Sequence, residues 1–277
     1  MHQILRDVSK TVIGTALEAN LIAQVKYFGK SPLVKLFDDR DNMVRILTGL
    51  PISTLNLVAG ARLSSNEVKT EVELALKPFK EQNVPMIWWV GPTTEPKDLG
   101  VYLETQGLVK SSDMPGMFFD LEELDGKLKL PPYFSFRPVV NDILLQIWAK
   151  TETKGFGAND SFTKHIYEFE KSLGTDPNSP WLRYIGFIDK EPVAVSILFQ
   201  AAGVAAIFNV ATVPKYRRRG IGTLMTKIPL FKARSLGYKW GVLKASPMGT
   251  LLYQQMHFKE VCKIGLYYPN QKFYHTS

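Results

Sequence analysis

The stretch VPKYRRRGIGTLMTK, Val213 to Lys227, places three consecutive arginines before Gly-Ile-Gly and then runs into a helical pattern. The residues in front of it, AIFNVATV, read as a buried strand. A strand ending at Val213, a basic turn and a helix from about Gly220 make the physical recipe for an anion site. The unpaired N–H groups of a first helical turn point outward, and the helix dipole adds roughly half a positive charge there. Gly220 and Gly222 remove side chains that would obstruct the approach of a pyrophosphate to the backbone, and the arginines add charge-assisted contacts. The stretch is neither of the common glycine motifs. The Lys-Ser pair of a Walker loop is missing, as are the third glycine and downstream acid of a dinucleotide fold.

Working outward, Pro192 to Pro214 holds 23 residues without a charge. Gln200, Asn209 and a central Ala-Ala-Gly make two strands joined by a tight turn a better reading than a membrane span. A boundary is expected near LEELDGKLKLPPYF, which ends in Pro131-Pro132. After it come a strand, FSFRPV, a helix, NDILLQIWAKTE, the loop KGFGAND and a second helix. Three strand-like runs follow, then the helix TLMTKIPLFKARSLG with Gly237 as its cap, the strand WGVLKAS, the short helix GTLLYQQM and the ending FKEVCKIGLYYPN. The pattern predicts a mixed α/β sheet protein. The first half repeats part of this order. VPMIWWVGP followed by DLGVYLETQGLVKSS resembles WGVLKAS followed by TLLYQQMHFKEV, which suggests a degenerate internal duplication.

Composition is globular, with 45% hydrophobic and 22% charged residues. The net charge of +8 is unevenly spread. Residues 1–130 carry 15 Lys and Arg against 17 Asp and Glu, whereas residues 131–277 carry 19 against 9. The positive field therefore belongs to the second half, which is expected to meet an anion. Cys262 is the single cysteine, so an intrachain disulfide and a cysteine-based metal cluster are excluded, and a reducing cytoplasm fits. It reads as a small buried residue. The N-terminal stretch MHQILRDVSKTVIGTALEANLI carries Asp7, Lys10 and Glu18, reads as an amphipathic helix and does not suit a signal peptide. Trp88 and Trp89 alternate across a strand, so on a one-sided sheet at most one faces the core.

VATVPKYRRRGIGTLMTKIPLFKARSLGY resembles the acyl-coenzyme A signature of the GNAT superfamily of N-acetyltransferases, Q/R-x-x-G-x-G/A, which falls here on Arg217, Arg218, Arg219, Gly220, Ile221 and Gly222. A second segment, KASPMGTLLYQQMHF, resembles the family stretch in which a tyrosine precedes Gly-Phe by four residues, the position of Tyr253. The likeness covers about residues 134 to 268. It implies a GNAT fold in residues 131–277 that binds acetyl-CoA, and a degenerate GNAT-like domain in residues 1–130, which lacks the R-x-x-G-x-G pattern.

The resemblance further implies an acyl transfer from acetyl-CoA to a small-molecule or peptide amine, by direct attack in a ternary complex. In the family the fourth strand offers its edge to the pantetheine arm. Here that edge is Val210 to Val213, with main-chain groups of Ala211 and Val213 facing the arm and Thr212 between them. The pyrophosphate is expected on the amides of Arg218 to Thr223, with Lys215 and Arg217 alternatively turned to the adenosine 3′-phosphate. Tyr253 is the candidate proton donor to the departing thiolate. The strand offers Asn209 and Thr212 where many relatives place a glutamate, and neither is a useful base near neutral pH. Water, a residue from another segment, or an acceptor that arrives unprotonated must take that role, and Asn209 is placed to orient a water. His257 stands where the family has glycine before Phe258, at a position that calls for left-handed backbone.

Two readings from other classes compete. A nucleic-acid-binding protein would use KYRRRG and the basic half, although its aromatics are not interleaved with the basic cluster as stacking platforms would be. A non-catalytic acyl-CoA sensor would explain the missing base. The enzyme reading expects no nucleic-acid partner, no membrane and no metal. Oligomeric state and the acceptor's identity are not written in the sequence.

Overall fold

In the computed structural model, which describes residues 3–274, the uncharged run forms a β-hairpin closed by Ala202 and Gly203, both at positive φ (52° and 76°). Turns of this hand match the twist of the strands they join. Regular elements in chain order are α1 (Lys10–Phe28), β1 (Leu36–Arg40), β2 (Met43–Leu47), β3 (Asn56–Ala59), α2 (Val68–Glu81), β4 (Ile87–Val90), α3 (Leu99–Thr105) and β5 (Leu108–Asp120). They continue with β6 (Phe134–Pro138), α4 (Asp142–Phe156), α5 (Ser161–Ser172), β7 (Trp181–Ile188), β8 (Glu191–Ala201), β9 (Val204–Thr212), α6 (Ile221–Ser235), β10 (Trp240–Lys244), α7 (Thr250–Gln255) and β11 (Lys259–Pro269). Among the described residues no helix is long and apolar enough to cross a membrane.

The chain divides into two compact units, one of residues 18–116 and 261–277, the other of residues 1–17 and 117–260. This differs from a division at 130/131. The reason is that α1, β5 and β11 each run through a boundary between units, so neither unit is one continuous stretch of chain.

In the first of these units the strand order is β1-β2-β3-β4-β11-β5. The ending FKEVCKIGLYYPN thus joins the earlier part of the chain, with β11 pairing antiparallel to β4 at Gly265↔Val90, Leu266↔Trp89 and Tyr267↔Trp88. Both tryptophans of β4 are buried, because both faces of this sheet are covered: Trp88 lies in the cluster with Val72, Leu76 and Phe79 of α2, and Trp89 lines a small hollow with Glu18 and Leu21 of α1. Helix α1 is buried on most of its faces from Ala16 onward, including Glu18, Asn20 and Gln24, rather than amphipathic. Cys262 is half-buried.

In the other unit the order is β5-β10-β9-β8-β7-β6. Helix α6 lies on one face, its Ile221, Met225, Ile228 and Leu230 clustered with Ala194, Leu198, Ala205, Ile207 and Leu243 of the strands. Helices α4 and α5 cover the other face. There the carboxylate of Glu170 on α5 accepts from Trp181 Nε1 at 2.9 Å and from Arg183 Nε at 2.5 Å, both on β7. The helix boundaries follow local chemistry. Asn141 caps α4 by accepting from the Leu144 amide at 2.9 Å, Gly157 ends it at φ 69°, and Gly237 ends α6 at φ 86°. Helix α4 therefore takes up the first residues of KGFGAND.

Candidate functional site

The site is built on β9. Against β8 this strand is paired almost throughout, but its parallel pairing with β10 is confined to Gly241↔Ala205 and Val242↔Ala206. Past those pairs the two strands part. At the same level the β8–β9 register slips, from Ile197↔Phe208 to Val195↔Ala211, so β9 holds one extra residue there. Asn209 sits at φ 49° in this bulge, in the left-handed region that asparagine tolerates better than most residues. The bulge turns successive side chains toward α4. Phe208 stacks near Trp181 and Phe199, with centroids 5.8 and 6.3 Å away. Asn209 Nδ2 donates to Glu152 Oε1 at 3.2 Å. A Cβ on Gly155 would come within 2.8 Å of that of Ala211, so only glycine lets α4 lie this close.

The edge that faces the parting differs from the expectation in one respect. The Val213 amide donates to the Val193 carbonyl at 2.9 Å, and by the alternation of an antiparallel ladder the main chain of Ala211 also turns toward β8. The groups turned the other way are those of Val210 and Thr212. The Thr212 carbonyl is itself engaged by Arg217 Nε at 3.1 Å.

Beyond Val213 a single 3-10 turn, Pro214–Tyr216, leads into the arginines. Arg218 and Gly220 both take positive φ (61° and 74°), and α6 starts at Ile221 with Gly220 as its N-cap. A Cβ on Gly220 would meet nothing within 4 Å, so a side chain at this N-cap position would start into open space. Gly222 has a different reason to be small, since its Cβ would lie 3.2 Å from Leu252 of α7. The basic residues divide their tasks. Arg217 is committed internally, donating to Thr212 and, through Nη2, to the Gly155 carbonyl at 2.8 Å. Lys215 is paired with Glu191 at 2.7 Å. Both thus have protein partners already. Arg218 and Arg219 remain beside the helix start, with Arg219 over the Tyr216 ring at 5.5 Å.

Tyr253 lies on the α6 face. It is buried in the cluster that includes Ile221 and Met225, and its ring meets Phe258 edge-on at 5.6 Å. Burial pushes its phenol up to about 12, against a hydrogen bond with Thr226 that acts the other way. It is therefore protonated across the physiological range. His257 takes φ 66°, with the Phe258 amide donating back to the Tyr253 carbonyl at 3.0 Å. This is the glycine-type end of a helix filled by histidine.

Two ionisable groups that sequence reasoning missed lie on the opposite face of the sheet. Glu152 on α4 is buried, and burial followed by the charge of Glu170 pushes its carboxyl up to about 8. Lys244 is at the end of β10, two residues past its last pairing with β9. Gly241, Leu243 and Ala245 turn toward the α6 side, which leaves Lys244 on the α4 side. It is half-buried by area, and burial pushes its ammonium down to about 7. A Glu one helical turn before Gly155 was the available signal, since a helix packed that closely must bury its neighbours.

In the unit of residues 18–116 and 261–277, β3 and β4 likewise pair only at Leu57↔Ile87 and Val58↔Trp88. Beyond them Glu18 fills the space, accepting from the Thr93 amide at 2.6 Å, and α2 starts without a glycine turn.

Residues 142–258 match the family described as Acetyltransferase (GNAT) family. No curated protein sequence matches the chain. Among solved structures, a GCN5-related N-acetyltransferase from Kribbella flavida aligns over 93% of this chain and 96% of its own, at 16% identity and TM-score 0.70. One from Sphaerobacter thermophilus aligns over 97% and 94%, at 14% identity and TM-score 0.61. A tandem GNAT protein from the clavulanic acid biosynthesis pathway aligns over 93% and 94%, at 12% identity and TM-score 0.59. These likenesses establish the fold. Residues 142–258 thus resemble GNAT-family acetyltransferases in sequence, on a chain whose fold is shared with a tandem GNAT protein.

Proposed function

We propose that this protein moves an acetyl group from acetyl-CoA to an amine, in a ternary complex and without a covalent enzyme intermediate. The observation that carries the reading is the parting of β9 and β10 past Ala206 and Val242, next to a helix start whose N-cap, Gly220, takes φ 74° and would set a Cβ in open space. The amides of Ile221, Gly222 and Thr223, flanked by Arg218 and Arg219, suit a pyrophosphate. The main-chain groups of Val210 and Thr212 suit an amide-bearing arm that runs along the strand edge. Acetyl-CoA, when bound, supplies an activated acyl carbon and a thiolate leaving group. Tyr253, held protonated by burial, donates a proton as negative charge develops on the departing sulfur. With Lys215 and Arg217 engaged internally, the basic cluster offers less to a nucleic-acid backbone than its sequence suggests.

The test is calorimetric titration of acetyl-CoA into the parent protein and into Gly220→Glu, which sets an anion in front of α6. Saturable binding lost in the folded variant supports the reading. A well-folded parent that does not bind overturns it.

A further inference from the structure

We infer that Glu152 is the group that takes the proton from the attacking amine, and that Asn209 is the positioning residue that holds it at the parting of β9 and β10. The inference rests on the acetyltransferase reading.

The two faces of this sheet are chemically unlike. On the α6 side Tyr253, buried in the cluster with Ile221 and Met225, is a proton donor at neutral pH. On the α4 side the buried ionisable groups are Glu152, Glu170 and Arg183, with the half-buried Lys244 at the end of β10. Glu170 is already satisfied by Arg183 and Trp181. Arg183 is spent on Glu170 and, through Nη1 and Nη2, on the carbonyls of Gly174 and Glu170 at 2.8 and 3.0 Å. Glu152 is different: its hydrogen bond comes from a neutral amide, Asn209, and the charge acting on it is the like charge of Glu170. A buried carboxylate without a matching cation is costly, and a fold keeps one there most readily where a ligand brings the positive charge. An ammonium approaching the parting from the α4 side supplies it.

Asn209 explains why the carboxyl stays at this point. Its backbone is strained into φ 49°, and that strain aims an amide at Glu152 from the one position where β9 is interrupted. In the transfer step, Glu152 as carboxylate accepts the first proton from the bound ammonium, directly or through one water; the free amine then attacks, and its second proton passes to solvent as the carbon–nitrogen bond forms and the carbon–sulfur bond breaks. Tyr253 gives one proton to the leaving thiolate. Both residues return to their starting states by exchange with solvent, so protons and electrons balance.

The experiment has three arms, on the parent, Glu152→Gln, Asn209→Gly and Lys244→Met. Asn209→Gly keeps the left-handed backbone and removes only the amide. First, carbon-13 labelling of glutamate carboxyls with NMR titration of the ligand-free protein should give one resonance with a midpoint above pH 7, absent in Glu152→Gln and retained in Lys244→Met. Second, acetyl-CoA calorimetry should be unchanged in all variants. Third, acetyl transfer to benzylamine should rise with pH up to the Glu152 midpoint. In Glu152→Gln it should fall by roughly 10²–10⁴-fold and lose that rise. Transfer to hydroxylamine, which is already unprotonated near neutral pH, should fall far less. Asn209→Gly should shift the midpoint and slow transfer by about 3–30-fold. A Glu152 resonance titrating in the ordinary carboxylate range overturns the inference whatever the third arm gives, as does a Glu152→Gln variant with parental rate and pH profile. A parent that fails to bind acetyl-CoA overturns the acetyltransferase reading itself, an outcome the second arm reads separately.

Discussion

Arg217 fastens α4 to the end of β9: its Nη2 holds the Gly155 carbonyl at 2.8 Å while its Nε holds the Thr212 carbonyl at 3.1 Å. One guanidinium thus satisfies a carbonyl at a helix end and one at a strand end, and fixes the height of the turn that follows. Arg217→Ala is expected to lower stability by about 1–3 kcal/mol in urea unfolding and to weaken acetyl-CoA binding about tenfold, through displacement of the turn. Arg217→Lys, without the planar fork, should recover less than half of either loss. Binding that weakens while stability stays parental would instead mean that Arg217 meets the ligand directly.

Tyr253→Phe keeps the ring against Phe258 and removes only the hydroxyl. The single-turnover rate should drop by roughly 10²–10³-fold with acetyl-CoA affinity within about twofold of the parent. Since the phenol titrates only at about 12, the parent rate should show no decline from its ionisation below pH 11. An unaltered rate in the variant would remove Tyr253 from the chemistry.

His257→Gly relieves a left-handed backbone at φ 66°. The variant should gain about 0.5–1 kcal/mol, offset in part by glycine's greater freedom when unfolded, and should raise Tm by a few degrees. Turnover should be unchanged. A loss of stability would show that the imidazole makes a contact worth more than the strain.

Burial gives Glu152 and Lys244 opposite effects on stability as pH changes. Glu152 rises from 4.5 to about 8, so between these values the unfolded chain has released the proton that the folded chain keeps. The folded state is therefore progressively disfavoured as pH rises through that window. Glu152→Gln removes the decline and should be more stable than the parent by on the order of 1–3 kcal/mol at pH 8. Lys244 drops from 10.5 to about 7, so the unfolded chain binds the extra proton between those values and stability rises with pH there. Lys244→Met should lose that rise. Urea unfolding at pH 5, 7 and 9 reads both, and parallel parent and variant curves would refute the burial of these charges.

What could be read ahead of the fold was what is local. The Ala202-Gly203 turn, the Gly237 helix end and the glycine-rich start of α6 are each decided by a few adjacent residues, and each is where the sequence put it. Glu152 was not legible, because one acid in the helical run TETK looks like any solvated charge until α4 is laid against β9. The bulge at Asn209 was hidden for a similar reason: an extra residue in β9 is defined only by counting against β8. The bracing contacts of Arg217 were hidden because its two acceptors are carbonyls 5 and 62 residues away in sequence.

The pairing of β11 with β4 has a consequence for how the chain is made. A chain made only as far as α7 already holds every α-helix among the described residues, yet β4 still lacks its β11 partner from Gly265 to Tyr267. The part of the protein translated early is therefore finished last, and until then the edge of β4 with Trp88 and Trp89 is left unguarded. A chain truncated after residue 258 is expected to need chaperone help for the sheet of β1 to β4 rather than for α7.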